Sequence, residues 1–151
     1  MTKDPELGDL AQMLGVELRI AQILADRVFG QLNSPKMAAG HFTILSLIHL
    51  NPGINQSALA RSMFLDRSTM VPTLDQFEQK GWMERRKKAG DRRAYALYLT
   101  ESGQATLSQA ETQVKDLEAR ISSEMGARNR QKLLKLIKEL QQTLCAIQSD
   151  S

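Results

Sequence analysis

A single cysteine in 151 residues, Cys145, leaves no internal disulfide to be made and no thiolate metal site, and the only two histidines, His41 and His49, lie far from it in the chain. No apolar run approaches the roughly 20 residues that a bilayer-crossing helix needs. The first residues, Met1-Thr2-Lys3-Asp4-Pro5-Glu6, carry no apolar segment resembling a signal peptide, so a cytoplasmic location and no membrane partner are expected. A glycine-rich phosphate loop, a metal cluster and a nucleophile motif are all missing. An enzyme is therefore the weakest reading, and no cofactor is expected. Internal repeats and low-complexity segments are absent too, and the length is that of one domain with a core of its own.

Positive charge is present, and it is concentrated. Arg85-Arg86-Lys87-Lys88-Ala89-Gly90-Asp91-Arg92-Arg93 holds six basic residues against one acid, +5 in nine positions. The whole chain carries only +3, so everything outside this stretch sums to −2 (3 − 5). A basic finger on a mildly acidic body suits a polyanion, because each neutralised phosphate releases counterions. No strongly basic amphipathic helix accompanies it, which favours nucleic acid over a membrane surface.

Around this finger the chain reads as mainly α. Over 8–32, Leu10, Leu14, Ala21, Leu24, Val28 and Leu32 recur at helical spacing, and Asn33-Ser34-Pro35 ends the run. A second helix, 38–50, is apolar round most of its circumference, and Asn51-Pro52-Gly53 closes it with turn residues. Asn55 is the expected N-cap of a short helix over 56–63, and Asp66 that of a helix over 67–80 stopped by Gly81, with Pro72 inside it. Two helices joined by a three-residue connection make a helix-turn-helix. After Gly81 the period shifts towards two on both sides of Ala89-Gly90-Asp91, which predicts a β-hairpin, the wing of a winged helix. Thr100 caps a long helix, and Gly126-Ala127-Arg128-Asn129 divides it from a last one.

The fold class expected is thus a winged helix-turn-helix with a small β-hairpin wing, 38–103, flanked by helices over 8–32 and 104–148. The flanking stripes, such as Leu133, Ile137, Leu140, Leu144 and Ile147, are more apolar than the winged part needs for its own cover. Stripes of this kind meet partner helices, and a homodimer with intertwined chain ends is the expectation.

The stretch Asp91-Arg92-Arg93-Ala94-Tyr95-Ala96-Leu97-Tyr98-Leu99-Thr100-Glu101-Ser102-Gly103 resembles the signature D-x-R-A-x-x-L-x-L-T-x-x-G of the MarR family of transcriptional regulators. Gln56-Ser57-Ala58-Leu59-Ala60, Leu65-Asp66-Arg67-Ser68-Thr69-Met70-Val71, Leu74-Asp75, Glu78, Lys80-Gly81 and Glu84-Arg85 are similar to the family's two helix-turn-helix helices and first wing strand. The resemblance implies a homodimer on a palindromic operator in double-stranded DNA. It further implies repression of nearby genes and release by a small phenolic or aromatic effector, or a coenzyme A thioester of one. Pro72 and Thr73 depart from the family, standing where many relatives have arginine and leucine.

Each candidate residue has a stated chemistry. Arg92 and Arg93 are read as minor-groove probes, with Asp91 pinning one of them by a local ion pair. Arg86, Lys87 and Lys88 are expected at phosphates. Arg67 is the candidate for a guanine edge, by bidentate geometry, with Ser68, Thr69 and Thr73 beside it in the half of the helix that enters the major groove. Ser68 and Thr69 serve equally as caps or phosphate donors. Gln56 and Ser57 are phosphate candidates at a helix start, Gln76 is plain surface, and Asp75 and Glu78 should face away from DNA. For an effector, Arg19 and His41 are polar groups on apolar stretches, each explained as well by a surface ion pair or a helix-end hydrogen bond. The competing reading is a protein-interaction or dimerisation module built on the same winged helix.

Overall fold

The computed structural model describes residues 8–32, 37–88 and 91–150, with the side chains of 32, 88 and 91–94 left aside. The expected helix stop at Asn33-Ser34-Pro35 and the tip residues Ala89 and Gly90 lie outside the described residues. A 3-10 turn, Gly8–Gln12, leads into α1 (Leu14–Leu32). It is separate from α1 because the amide of Met13 bonds back to Leu10 and α1 starts afresh with Glu17 bonding to Met13. There follow α2 (Ala39–Leu50), β1 (Ile54–Asn55), α3 (Gln56–Ser62), α4 (Arg67–Gln79), β2 (Met83–Lys88), β3 (Asp91–Leu99), α5 (Glu101–Met125) and α6 (Ala127–Ser149). The chain divides into two compact units, 1–111 and 112–151.

The sheet has three strands, not the two of a bare hairpin. β3 lies between β1 and β2, antiparallel to both, with Ile54 opposite Leu97 and Met83 opposite Leu99. Two residues carry no periodicity of their own, so β1 exists only because β3 offers it an edge. The ladder runs regularly from Met83 to Lys87 and then shifts, pairing Lys88 with Asp91. Such an irregularity bends and twists the ribbon at the base of the wing tip.

The core of the first unit forms where α2, α3 and α4 meet the sheet. Leu45, Ile48, Leu59, Leu74, Phe77 and Leu97 are fully buried there, with Met37, Met70 and Met83 beside them. Each such side chain contributes about 1.5–3 kcal/mol relative to exposure. These three methionines are core filling, whereas Met13, between the N-terminal turn and α1, is exposed. Trp82 packs beneath α4 with its ring 5.7 Å from that of Phe77, and the Lys80 ammonium lies over the Trp82 ring at 4.4 Å.

One joint fixes the sheet to α5. Thr100 donates its hydroxyl to the Gly81 carbonyl at 2.5 Å and accepts from the Gly103 amide at 3.0 Å, while its own amide bonds to the Trp82 carbonyl. Gly103 sits so close that a Cβ there would be 1.8 Å from the Trp82 oxygen. The Leu-Thr-x-x-Gly part of the signature is therefore a structural clasp. Gly81, at φ +68°, turns the chain from α4 into the strand, as a C-terminal glycine does.

Candidate nucleic-acid interface

α3 starts where the Asn55 side chain accepts from the Ala58 amide at 2.8 Å, the cap that its position predicted and worth about 1 kcal/mol. Asp66 differs from expectation. It has the extended backbone of an N-cap, but its carboxylate makes no capping bond, and the Thr69 amide bonds instead to its carbonyl. Gln56 bridges the two helix starts, donating its amide to the Arg67 carbonyl at 3.2 Å. A residue expected to meet phosphate is thus also the strut that sets α3 against α4.

α4 sorts its residues by face. Met70, Leu74 and Phe77 point into the core. Arg67, Val71, Asp75 and Glu78 run up a second side and, with Gln56, Arg85 and Tyr95, line a cleft of about 490 Å3 between the helix and the wing. Arg67, Ser68, Thr69, Pro72, Gln76 and Gln79 are exposed, with Thr73 half-buried among them. Gln76, taken from the sequence for plain surface, lies on the same stripe as Thr69 and Thr73. The i, i+4, i+7 spacing of those three was the signal for it.

The acids of α4 are neutralised by a cation from the wing. Arg85 reaches across from β2 and bonds Asp75 at 2.6 Å and Glu78 at 2.5 Å, with its own side chain only 18% exposed. Counted in the basic finger, Arg85 is in fact a clamp between recognition helix and wing. Arg86 is on the opposite face of the ribbon. Its guanidinium pairs with Glu84, accepted from Nε at 2.8 Å, and stacks over the Tyr98 ring at 4.4 Å. Its charge is thus partly compensated, whereas Lys87 is exposed on the other face, opposite Tyr95. The strands carry the backbone of Lys88, Asp91, Arg92 and Arg93 to the end of the hairpin; the roles expected of their side chains, the Asp91 ion pair included, lie outside the described residues.

The two effector candidates have separate surroundings. Arg19 is exposed on α1. His41, half-buried in the first turn of α2, meets the Phe77 ring edge-on at 5.2 Å. Burial, and then the nearby Lys80 charge, hold its pKa below the ordinary 6.5, so the imidazole is kept neutral.

This arrangement is shared with proteins of known type. The MarR family model matches residues 38–95. A candidate transcriptional regulatory protein for the hcr operon of Thauera aromatica is 36% identical over 135 residues, 88% of this chain and 81% of that one. The transcriptional repressor CouR, solved bound to a 23-mer DNA duplex, is 31% identical with a TM-score of 0.84, over 91% of this chain and 99% of its own. A cysteine-to-serine variant of MarR from E. coli, complexed with operator DNA, is 25% identical with a TM-score of 0.80, over 90% of this chain and 99% of that one. With the helix-turn-helix, the wing and the Thr100–Gly103 clasp all in place, the chain belongs to the MarR family of transcriptional regulators.

Proposed function

We propose that this chain is a homodimeric repressor that holds a palindromic operator and releases it when an aromatic acid, a phenol or an aryl coenzyme A thioester binds. The observation that carries the proposal is the match to CouR over 99% of that chain, since CouR was solved both on a DNA duplex and with p-coumaroyl-CoA. Residues 38–103 are the DNA-binding part. Arg67, Ser68, Thr69 and Thr73 enter the major groove, with Arg67 at a guanine edge, while Gln56, Ser57, Arg86, Lys87 and Lys88 meet phosphates. Arg92 and Arg93 enter the minor groove, oriented by Asp91.

The segments 8–32 and 104–148 form the dimer. Its support is the apolar surface left open in each unit: Leu10, Leu14, Leu24 and Val28 at the N-terminal end, and Leu133, Leu136, Leu144 and Ile147 on α6. A second copy is the natural cover for two such stripes. Arg19 and His41 are the effector candidates, Arg19 offering charge to an anionic ligand and neutral His41 a hydrogen bond.

The test is a fluorescence-anisotropy titration of the full chain on duplexes it selects from a random library, repeated with p-coumaroyl-CoA, p-coumarate and other aromatic acids. Half-sites about 10–10.5 base pairs apart and release by one ligand class are expected. A chain that selects no duplex, or whose complex no such ligand loosens or shifts in melting temperature, contradicts the proposal.

A further inference from the structure

Phe64 sits in the turn between α3 and α4 at φ +54°, the one non-glycine residue with positive φ among the described residues. It fills a definite slot. The Leu65 amide bonds to the Ala60 carbonyl at 3.0 Å and the Phe64 amide to the Arg61 carbonyl at 3.1 Å, the two bonds of a Schellman motif whose left-handed position usually belongs to glycine. A bulky side chain there is strained. Burial offers no compensation, since Phe64 is 78% exposed, more than any other large apolar side chain described. On both counts glycine serves this fold better, so what the phenyl ring contributes lies outside the chain.

Its position says where. The ring precedes α4 by three residues and lies in sequence between Arg61 and Arg67, both exposed. Docked DNA meets this end of a recognition helix. A flat apolar ring flanked by cations finds one apolar mark on the floor of the major groove, the thymine C5-methyl. We propose that Phe64 is a specificity-determining residue, packing on a thymine methyl in each half-site while Arg61 holds phosphate and Arg67 its guanine edge. The inference rests on the reading of α4 as the DNA-recognition helix.

The experiment compares the full-length wild type, Phe64→Gly and Phe64→Asn on a duplex that the wild type selects from a random library. Each thymine is replaced in turn by deoxyuridine, which lacks only the methyl. Glycine relieves the left-handed strain and asparagine tolerates it, so both variants should melt no lower than the wild type. At one or more thymines per half-site, loss of the methyl should weaken wild-type binding about 5- to 30-fold and leave both variants indifferent. Affinity for mixed-sequence duplex should not change. Variants that bind the selected duplex like the wild type overturn the proposal. So do variants that bind it more weakly yet keep the wild-type deoxyuridine profile, since Phe64 then acts without reading a methyl. Failure of the DNA-binding reading itself looks different: the wild type then selects no duplex at all.

Discussion

Gly103→Ala offers a sharp test of the clasp that holds the winged domain to its long helix. The added Cβ would stand 1.8 Å from the Trp82 carbonyl oxygen, 2.7 Å from its carbon and 3.1 Å from the Trp82 Cα, so the obstacle is backbone rather than a yielding side chain. Relief requires α5 and the start of the strand to part by about 1.5 Å, given ordinary carbon–oxygen contact near 3.3 Å. That displacement breaks the bond from the Thr100 amide to Trp82 and loosens the bridge from Gly81 through the Thr100 hydroxyl to Gly103. Overpacking costs about 1–3 kcal/mol and each lost hydrogen bond about 0.5–1.5. The sum, about 2–5 kcal/mol, corresponds to a fall in Tm of roughly 4–20 °C for a chain of this length. The assay is thermal unfolding at matched protein concentration, because the Tm of any self-associating chain depends on it. Gly40→Ala, where a Cβ meets nothing within 4 Å, is the control and should leave Tm within about 2 °C of the wild type. A Gly103→Ala protein that melts within about 1 °C of the wild type refutes the clasp.

Arg85→Met should uncover the Asp75 and Glu78 carboxylates on α4. Because both are nearly half exposed, the stability loss is screened to about 0.5–2 kcal/mol. DNA affinity should fall on the order of 3- to 10-fold from charge repulsion. Adding Asp75→Asn and Glu78→Gln should restore the affinity but not the Tm; if the triple variant binds as poorly as the single one, Arg85 acts by something other than neutralising α4. His41 has a folded-state pKa depressed below 6.5, so its contribution to stability is complete above about pH 6.5 and is lost as pH falls through the lower folded value. Denaturant unfolding between pH 7.5 and 5 should show this decline in the wild type and a smaller one in His41→Gln. Equal declines would rule out His41 as its source.

How far these features were legible varied with how local their causes are. The Asn55 cap and the Gly81 stop were readable because the partner groups lie within a turn of them in sequence. Asp66 has the right neighbours and the extended backbone of an N-cap, yet its carboxylate makes no capping bond, and sequence spacing does not encode that choice of rotamer. The clamp joins Arg85 to residues 7 and 10 positions away on another element, so its arginine looked like one more member of a basic run. Gly103 could be recognised as part of a signature, but the reason for it, the Trp82 carbonyl, exists only once β3 has brought Thr100 alongside Gly81. β1 has no sequence signal, since its pairing is dictated by the register of β3. The open stripe of α4 was half legible: its N-terminal polar residues stood out, and Gln76, three residues beyond Thr73, did not.

The most direct measurement is the salt dependence of binding to a selected duplex. On the proposed reading, Arg86, Lys87 and Lys88 of each protomer make six phosphate contacts in a homodimer, which gives a slope of log K against log[salt] of about −5. Lys87→Ala, present in both protomers, should make the slope shallower by about 1.8. A slope shallower than about −2, or one that Lys87→Ala, Arg92→Ala and Arg93→Ala together leave unchanged, would mean that the basic wing does not grip DNA.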